Sequence, residues 1–417
     1  MTRTLRFALP ALALGVGVAL AVGATAALAA TSRAGADPGV TPTTVLLGGT
    51  APLTGSSSAY AAIAVGAHAY VDYVNTRGGV NGRRIAYTIV DDASDPARAL
   101  DLTRRLVEDD KVFAVFNSFG TDQNLAVREY LNQKKVPQLF AASGATALGK
   151  QGGQFPYTIG LRPTYTAEGW VLGQYLARTQ GAAKVAVLYE DDDYGRELLD
   201  GLRRGILRSK VRVAAAEPYD AAATDVQAQV ARLRIAGATV FAVFAKSRVA
   251  LQALRYANRL GWKPKLTLSS SGASSATVPR AASEKGGNPL VNGMVSVAFL
   301  KDPTDPRWVK DSSMKLYRKV MKRFAPGANV DDVNHVYGMA AAWTAIEAIR
   351  RAGANLTRDA LIRVVASLNL QGNPFLLPGI AVRTGPSDRY PIEQLLLQRW
   401  HKDAWRSFGG LWSYRSG

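Results

Sequence analysis

The sequence predicts an α/β protein of two lobes, each a mostly parallel sheet with helices on both faces. Short apolar runs of strand length alternate with longer segments of helical periodicity, which is typical of successive βαβ units. The chain has 417 residues, more than a single hydrophobic core usually supports. Its 47% hydrophobic and 20% charged residues are ordinary for globular proteins. Neither a disordered chain nor a multi-span membrane protein is therefore indicated.

The first block of alternation opens with a strand at Thr44–Gly49 and a helix at Tyr60–Asn75. The glycine-rich turn Arg77–Gly82 ends this unit. The other predicted elements of the block are strand Ile85–Val90, helix Ala97–Asp109, strand Val112–Phe116, helix Asn124–Gln133 and strand Gln138–Ala141.

A second block begins after Leu161-Arg162-Pro163. Its predicted elements are helix Ala167–Thr179, strand Lys184–Tyr189, helix Gly195–Ser209, strand Val211–Glu217, helix Val226–Ala236, strand Val240–Phe244, helix Arg248–Leu260 and strand Leu266–Ser269.

The final third is less regular, and its elements suggest that the chain returns to complete both lobes. They are strand Met294–Ala298, helices Ser312–Phe324 and Val333–Arg351, and strands Ile380–Val382 and Leu395–Trp400. We therefore expect a first lobe of residues 43–161 plus 300–370 and a second lobe of residues 162–299 plus 371–417.

The first thirty residues differ in character from the rest. Arg3 and Arg6 precede an apolar run, and the small-residue stretch Ala26–Ala30 follows it, which is typical of a secretory signal peptide. The alternative is a retained membrane anchor, which needs about 20 apolar residues. We expect cleavage of a signal peptide over residues 1–30, an exported protein, and a flexible leader over residues 31–42.

Cysteine is absent and the chain is strongly basic. Without cysteine we expect no disulfide, no thiolate metal site and no lipid anchor on an N-terminal cysteine. The formal net charge of +19 favours anionic partners in general. The basic residues are spread along the chain, however, and no basic-aromatic nucleic-acid motif occurs. We expect a solvated basic surface and no nucleic-acid partner.

Motifs for catalysis and cofactor binding are missing from the sequence. The three histidines lie far apart, and no G-x-S-x-G nucleophile turn occurs. Gly144–Gln151 approaches a phosphate-binding loop but lacks the final Ser or Thr that binds magnesium. The acidic clusters Asp91–Asp95 and Glu190–Asp193 do not have calcium-loop spacing, and strand ends, helix caps or contacts between the lobes explain them. We expect no enzyme, no catalytic or metal site, and no cofactor.

Small and hydroxyl-bearing residues follow the carboxyl ends of four predicted strands. In open α/β sheets ligands bind beyond these ends, and such turns present backbone N–H groups and hydroxyls that hold an anion, typically a carboxylate. Each turn alone could serve only as a turn or cap, but four together favour a site. The turns are Thr54–Ser57, Asn117–Thr121, Ser143–Thr146 and Ser269–Gly272, with Tyr60 and Tyr194 as aromatic walls.

Several motifs, in order, resemble the leucine/isoleucine/valine-binding proteins of ABC importers. They are Gly48–Gly55, Asn75–Ile85, Asp91–Pro96 and Asp192–Gly195, and the resemblance covers about residues 43–410. It implies a type I periplasmic-binding fold, with two lobes joined by three crossovers that close on a ligand. It also implies an extracytoplasmic, monomeric binding protein that delivers a small carboxylate-bearing ligand to ABC permease subunits.

The resemblance also implies which residues bind the ligand. They are Tyr60, Ser118, Gly120, Thr121, Gly144, Ala145, Thr146, Tyr194 and Ser271. In the amino-acid binders of this family an acid faces the ligand ammonium, and here Ser271 stands in its place. Burying an ammonium without a charged partner is costly. Two ligand classes therefore stay open, a branched-chain or other hydrophobic amino acid and an aromatic or aliphatic carboxylate without an ammonium. A ligand-sensing receptor domain of the same fold is the alternative function.

Overall fold

The computed structural model describes residues 37–274, 278, 281 and 288–415. The predicted signal peptide and the first part of the leader lie outside these residues. Residues 37–42 were expected in the flexible leader, but they pack against the first sheet. Val40 is buried and pairs with Val45, and the amide of Leu46 donates to the carbonyl of Gly39 at 2.7 Å. The prediction of a flexible leader is corrected for this part.

Strands and helices alternate along the described residues, as the sequence predicts. The strands are β1 (Thr44–Ala51), β2 (Arg84–Asp91), β3 (Ala114–Phe116), β4 (Gln138–Ala141), β5 (Thr158–Gly160), β6 (Lys184–Glu190), β7 (Arg212–Tyr219), β8 (Val240–Phe244), β9 (Lys265–Leu268), β10 (Val295–Ala298), β11 (Asn369–Leu370), β12 (Val382–Arg383), β13 (Gln394–His401) and β14 (Ala404–Ser413). The helices are α1 (Ala61–Asn75), α2 (Pro96–Glu108), α3 (Thr121–Gln133), α4 (Ala147–Lys150), α5 (Tyr165–Thr179), α6 (Asp193–Ile206), α7 (Gln227–Ile235), α8 (Ser247–Arg259), α9 (Ser312–Phe324), α10 (Val333–Ala352) and α11 (Arg358–Val365).

The first sheet has the strand order β2-β1-β3-β4-β5, and every pair in it is parallel. The second sheet has the order β14-β13-β10-β9-β8-β6-β7. It is parallel from β10 to β7, and only β13 and β14 run antiparallel to their neighbours. Inner strands such as β3 and β8 are buried throughout, which explains their continuous apolar sequence. The predicted α/β class with two mostly parallel sheets is confirmed.

Close helix pairs cover the sheets. In the first lobe α1 packs against α10, and glycines make this approach possible. A Cβ on Gly66 would lie 2.2 Å from the carbonyl oxygen of His335, and one on Gly338 would lie 2.0 Å from that of Ile63. In the second lobe α5 and α6 cross in the same way at Gly169 and Gly201.

The chain passes between the two lobes three times, and β11 and β12 pair in a separate two-stranded antiparallel sheet. It leaves β5 through Arg162 to reach α5, leaves β10 to reach α9, and returns from β12 to β13. The lobes are therefore assembled from separate stretches of sequence and are joined near the sheet edges. The residue limits of the lobes given above remain a proposal. None of the helices in the described ranges combines the length with the hydrophobicity that a membrane span requires.

Candidate ligand-binding site

Tyr60 connects the two lobes directly. It ends a short 3-10 turn, Ser58–Tyr60, between β1 and α1, and only 1% of its surface is exposed. Its hydroxyl accepts from the amide of Ser247 at 3.0 Å and donates to the carbonyl of Ser271 at 2.9 Å. Its ring stacks on Phe119, with centroids 4.5 Å apart. A side chain of the first lobe thus forms hydrogen bonds with residues that follow β8 and β9 in the second lobe, and the cleft between the lobes is closed at Tyr60.

The first turn of the candidate set, Ser118–Thr121, follows β3. The Ser118 hydroxyl accepts from the amide of Thr50 at 3.0 Å, and the Thr121 hydroxyl bonds that of Ser143 at 2.9 Å. Gly120 has a φ of 106°, which favours glycine at the start of α3. Both hydroxyl side chains are buried and bonded within the first lobe.

The second turn, Ser143–Thr146, follows β4 and packs against the crossover to the second lobe. The Gly144 carbonyl accepts from the Tyr165 amide at 2.9 Å, and the Ala145 amide donates to the Ser143 hydroxyl at 3.2 Å. Gly144 and Ala145 are buried, so this part of the turn is enclosed by the protein.

Thr146 binds a carboxylate that the chain itself supplies. Its amide donates to both oxygens of Glu197 on α6, at 2.9 and 3.0 Å, and its hydroxyl donates to Oε2 at 2.8 Å. Burial raises the pKa of Glu197 to about 7 against the hydrogen bonds from Thr146. Of the donors predicted to bind a ligand carboxylate, those of Thr146 are engaged by Glu197.

The two second-lobe candidates differ in exposure. Tyr194 is fully buried, its hydroxyl bonds that of Ser269 at 2.6 Å, and its ring meets Tyr165 edge to face at 4.8 Å. Ser271 is half-buried and lines a cavity between the lobes. Of the nine candidate residues it alone is part of the lining of this cavity.

The cavity lies at the first two crossovers and has a volume of about 480 Å³ when the part open to solvent is included. It is lined by Arg162, Ser270, Ser271, Ala273, Val297, Ala298, Phe299, Leu300, Asp302, Val333, Asn334, Tyr337 and Gln398. Arg162 follows β5, the serines follow β9, Phe299 follows β10, and Tyr337 lies on α10. Elements of both lobes therefore enclose one space with an apolar wall and a buried guanidinium.

Sequence reasoning missed Arg162 and Glu168. The guanidinium of Arg162 donates to the hydroxyls of Ser270 at 3.0 Å and Ser271 at 3.4 Å. Glu168 on α5 is buried and accepts from both the amide and the hydroxyl of Ser270, and burial raises its pKa. An acid thus does reach the segment around Ser271, from another element. Two features of the sequence could have indicated these residues. Arg162 stands between an apolar strand and a proline, and Glu168 stands among apolar positions of a helix.

A second space, of about 870 Å³ with the part open to solvent included, lies between the turns after β1, β2 and β3 and those after β6, β7 and β8. The acidic clusters line it, and Asp92 and Glu190 are buried in its wall. Lys246 forms an ion pair with Glu190, and the Asp192 carboxylate accepts from the amide of Gly195 at 3.0 Å to cap α6. Within the described residues, no group of three or more His, Asp or Glu side chains could hold a metal ion. The acidic residues act here as caps and ion-pair partners.

Residues 44–404 match the model of the family described as periplasmic binding protein. The chain belongs to this family. An amino acid binding protein of Pseudomonas aeruginosa is 25% identical over 312 residues, which cover 75% of this chain and 79% of that protein. The Leu/Ile/Val-binding protein homolog 1 of Brucella abortus is 30% identical over 208 residues, covering 47% and 52%. The chain thus spans about half the length of the latter relative.

Solved structures of low sequence identity share the fold. A branched chain amino acid ABC transporter protein from Thermus thermophilus with bound valine is 18% identical, with a TM-score of 0.78 and coverage of 90% of this chain and 98% of that one. A fatty acid ABC transporter substrate-binding protein from Thermomonospora curvata is 21% identical, with a TM-score of 0.76 and coverage of 92% and 95%. The family resemblance and the two-lobed fold implied by the sequence motifs are confirmed.

Proposed function

We propose that the chain is the extracytoplasmic substrate-binding protein of an ABC importer. It encloses a small carboxylate-bearing ligand by closing two lobes and presents the closed form to permease subunits. The observation that carries this proposal is the Tyr60 hydroxyl, which bonds the Ser247 amide and the Ser271 carbonyl across the lobes. Opening of the cleft must break these contacts, so they stabilise the closed state relative to the open state.

The mechanism follows from the places where the two lobes meet. The ligand enters the cleft between the sheets, where the carboxyl ends of the parallel strands lie. Closure then encloses it and shifts a pre-existing equilibrium between open and closed states. The names of the Pseudomonas and Brucella relatives and of the two solved structures support a hydrophobic ligand with a carboxylate. We propose that the protein acts as a monomer, without catalysis, after export and removal of residues 1–30.

A thermal-shift screen of the mature protein tests the proposal. The screen compares hydrophobic amino acids with aromatic and aliphatic carboxylates, and a ligand at about 100 times its Kd adds about 2.7 kcal/mol to the free energy of unfolding. We expect stabilisation by at least one of these compounds, which is recovered unchanged after incubation. Stabilisation by none of them would contradict the proposal, and chemical turnover of the ligand would identify an enzyme.

The mass of the exported protein separates the importer from its alternative. Loss of about 30 residues, the usual upper length of a signal peptide, supports a free binding protein. Retention of the N-terminal segment would instead favour a tethered receptor domain of the same fold.

A further inference from the structure

Arg162 places a buried positive charge at the crossover between the lobes. The residue is 9% exposed, and its guanidinium lies 5.7 Å from the ring centroid of Phe299 and 5.4 Å from that of Tyr337. A guanidinium stays charged in proteins, and a buried charge is costly unless it is paired. In the described part of the chain Arg162 forms no ion pair, and Glu168 reaches it only through the hydroxyl of Ser270.

The cavity beside Arg162 contains further polar groups that need a partner. The Tyr337 hydroxyl and the Asn334 side-chain amide nitrogen are buried without a hydrogen-bond partner among the described residues. These residues are 1% and 7% exposed, and both line the cavity. Val297 and Phe299 form an apolar wall of the same space. An apolar cavity with a few convergent polar groups is the usual form of a small-molecule site.

The acids near the cavity are bonded by the chain. Both oxygens of Glu168 accept from Ser270. Asp302 accepts from the amide and the hydroxyl of Thr304, at 2.8 and 2.6 Å, through one of its oxygens. Burial raises the pKa of Asp302 to about 6, so this carboxyl still carries most of its charge at neutral pH. Beside Arg162, the unpartnered groups of Tyr337 and Asn334 can both donate hydrogen bonds, so an anion fits this end of the cavity better than a cation.

We propose that Arg162 binds the carboxylate of a compact apolar monocarboxylate, whose body lies against Val297 and Phe299, and that the ligand carries no ammonium. This inference rests on the proposed function, since closure of the lobes forms the cavity. It moves the carboxylate away from Thr146, whose donors are engaged by Glu197. The Tyr337 hydroxyl donates a second hydrogen bond to the ligand carboxylate.

Three small ligands test separately the effects of the ammonium and of the carboxylate on binding. Leucine and 4-methylpentanoate have the same carbon skeleton, and only leucine carries the ammonium. In 4-methylpentanamide the carboxylate is replaced by a neutral amide. We expect isothermal titration calorimetry on the mature chain to show binding of 4-methylpentanoate, with leucine and the amide each weaker by about tenfold or more.

Variants then test the role of Arg162. Arg162→Gln should weaken 4-methylpentanoate by about tenfold to a hundredfold, and Tyr337→Phe should weaken it by about threefold to tenfold, because each removes a donor to a charged group. The control Arg178→Gln removes an exposed arginine that stacks on Trp412 at 4.3 Å and should leave affinity unchanged. If Arg162→Gln does not fold, Tyr337→Phe and 4-methylpentanamide still test whether the ligand carboxylate binds at this position.

The outcomes keep the two proposals apart. Tighter binding of leucine than of 4-methylpentanoate would overturn the inference and leave the importer function intact. Equal affinity of wild type and Arg162→Gln for 4-methylpentanoate would also overturn it. If no monocarboxylate binds although the wider screen finds an amino acid that does, the inference fails alone. If no compound in either experiment binds, both proposals fail.

Discussion

Replacing Tyr60 by Phe removes the hydroxyl that joins the lobes and leaves the ring in place. The ring keeps its stacking on Phe119, with centroids 4.5 Å apart. Its two shorter hydrogen bonds across the lobes are lost, to the Ser247 amide and the Ser271 carbonyl, together with a longer contact of 3.2 Å to the Ser247 hydroxyl. At about 0.5–1.5 kcal/mol each, the closed state should lose roughly 1–3 kcal/mol relative to the open state. Ligand affinity should fall by about fivefold to about a hundredfold.

The assay is calorimetric titration of the ligand found in the screen, with wild type and Tyr60→Phe measured side by side. Tyr87→Phe is the matched control, since the Tyr87 hydroxyl donates to the Phe116 carbonyl at 3.2 Å inside the first lobe. We expect the control to keep wild-type affinity. Equal affinity of wild type and Tyr60→Phe would show that these bonds do not hold the closed state, and would refute the reasoning.

Three further variants test the energetics of the fold. Burial raises the pKa of Glu197 to about 7 from 4.5, so the native chain keeps a proton that the unfolded chain releases. The stability that this bound proton contributes is therefore lost as pH rises from about 4.5 through 7. Glu197→Gln cannot release a proton, so its melting temperature should fall less than that of the wild type over this pH range. Identical pH profiles of the two proteins would contradict this prediction. Lys246→Met leaves Glu190, which is 2% exposed, without its ion-pair partner, and urea titration should show a loss of roughly 3 kcal/mol. If Lys246→Met loses no more stability than a surface substitution does, the ion pair is exposed to solvent and this prediction is wrong. Gly201→Ala brings a Cβ within 2.2 Å of a backbone oxygen of α5 and should lower the free energy of unfolding by about 1–3 kcal/mol. The control Gly153→Ala, whose Cβ would meet nothing within 4 Å, should leave stability unchanged. Equal stability of the two variants would refute the close packing of α5 and α6.

Local sequence patterns predicted most of the regular elements. Helix α9 was predicted at the residues where it lies, and α10 begins at the predicted Val333. Strand β3 starts later than predicted, because Val112 and Phe113 bond the carbonyls of Leu106 and Leu46 before the regular ladder begins. Periodicity shows which residues are buried, and it leaves the last one or two residues of an element undetermined.

Strand β14 was not predicted, since its paired glycines resemble a turn. Gly409 has a φ of 72°, and the register of β13 and β14 shifts nearby, between Leu395 and Leu397. The glycine thus accompanies an irregularity inside a strand pair. Only the pairing with β13 distinguishes this from a chain reversal, and that pairing is not visible in the local sequence.

Contacts between distant residues decide the site, and these could not be predicted from local patterns. Thr146 and Glu197 are 51 residues apart, and Glu168 and Ser270 are 102 residues apart. Thr146 was predicted to bind the carboxylate of a ligand, and in the structure its donors bind the carboxylate of Glu197. The replacement of the family's acid by Ser271 stays a prediction, and the contacts of Arg162 with Ser270 and Ser271 exist only because distant parts of the chain assemble.

Closure of the two lobes on a ligand makes the protein more compact, and small-angle X-ray scattering measures this change in solution. The mature chain is measured alone and with the compound that stabilises it most in the thermal screen. Tyr60→Phe is measured under the same conditions. We expect the ligand to reduce the radius of gyration of the wild type, and Tyr60→Phe to need more ligand for the same reduction. An unchanged radius of gyration at saturating ligand, together with the open-cleft scattering profile in both states, would contradict the account.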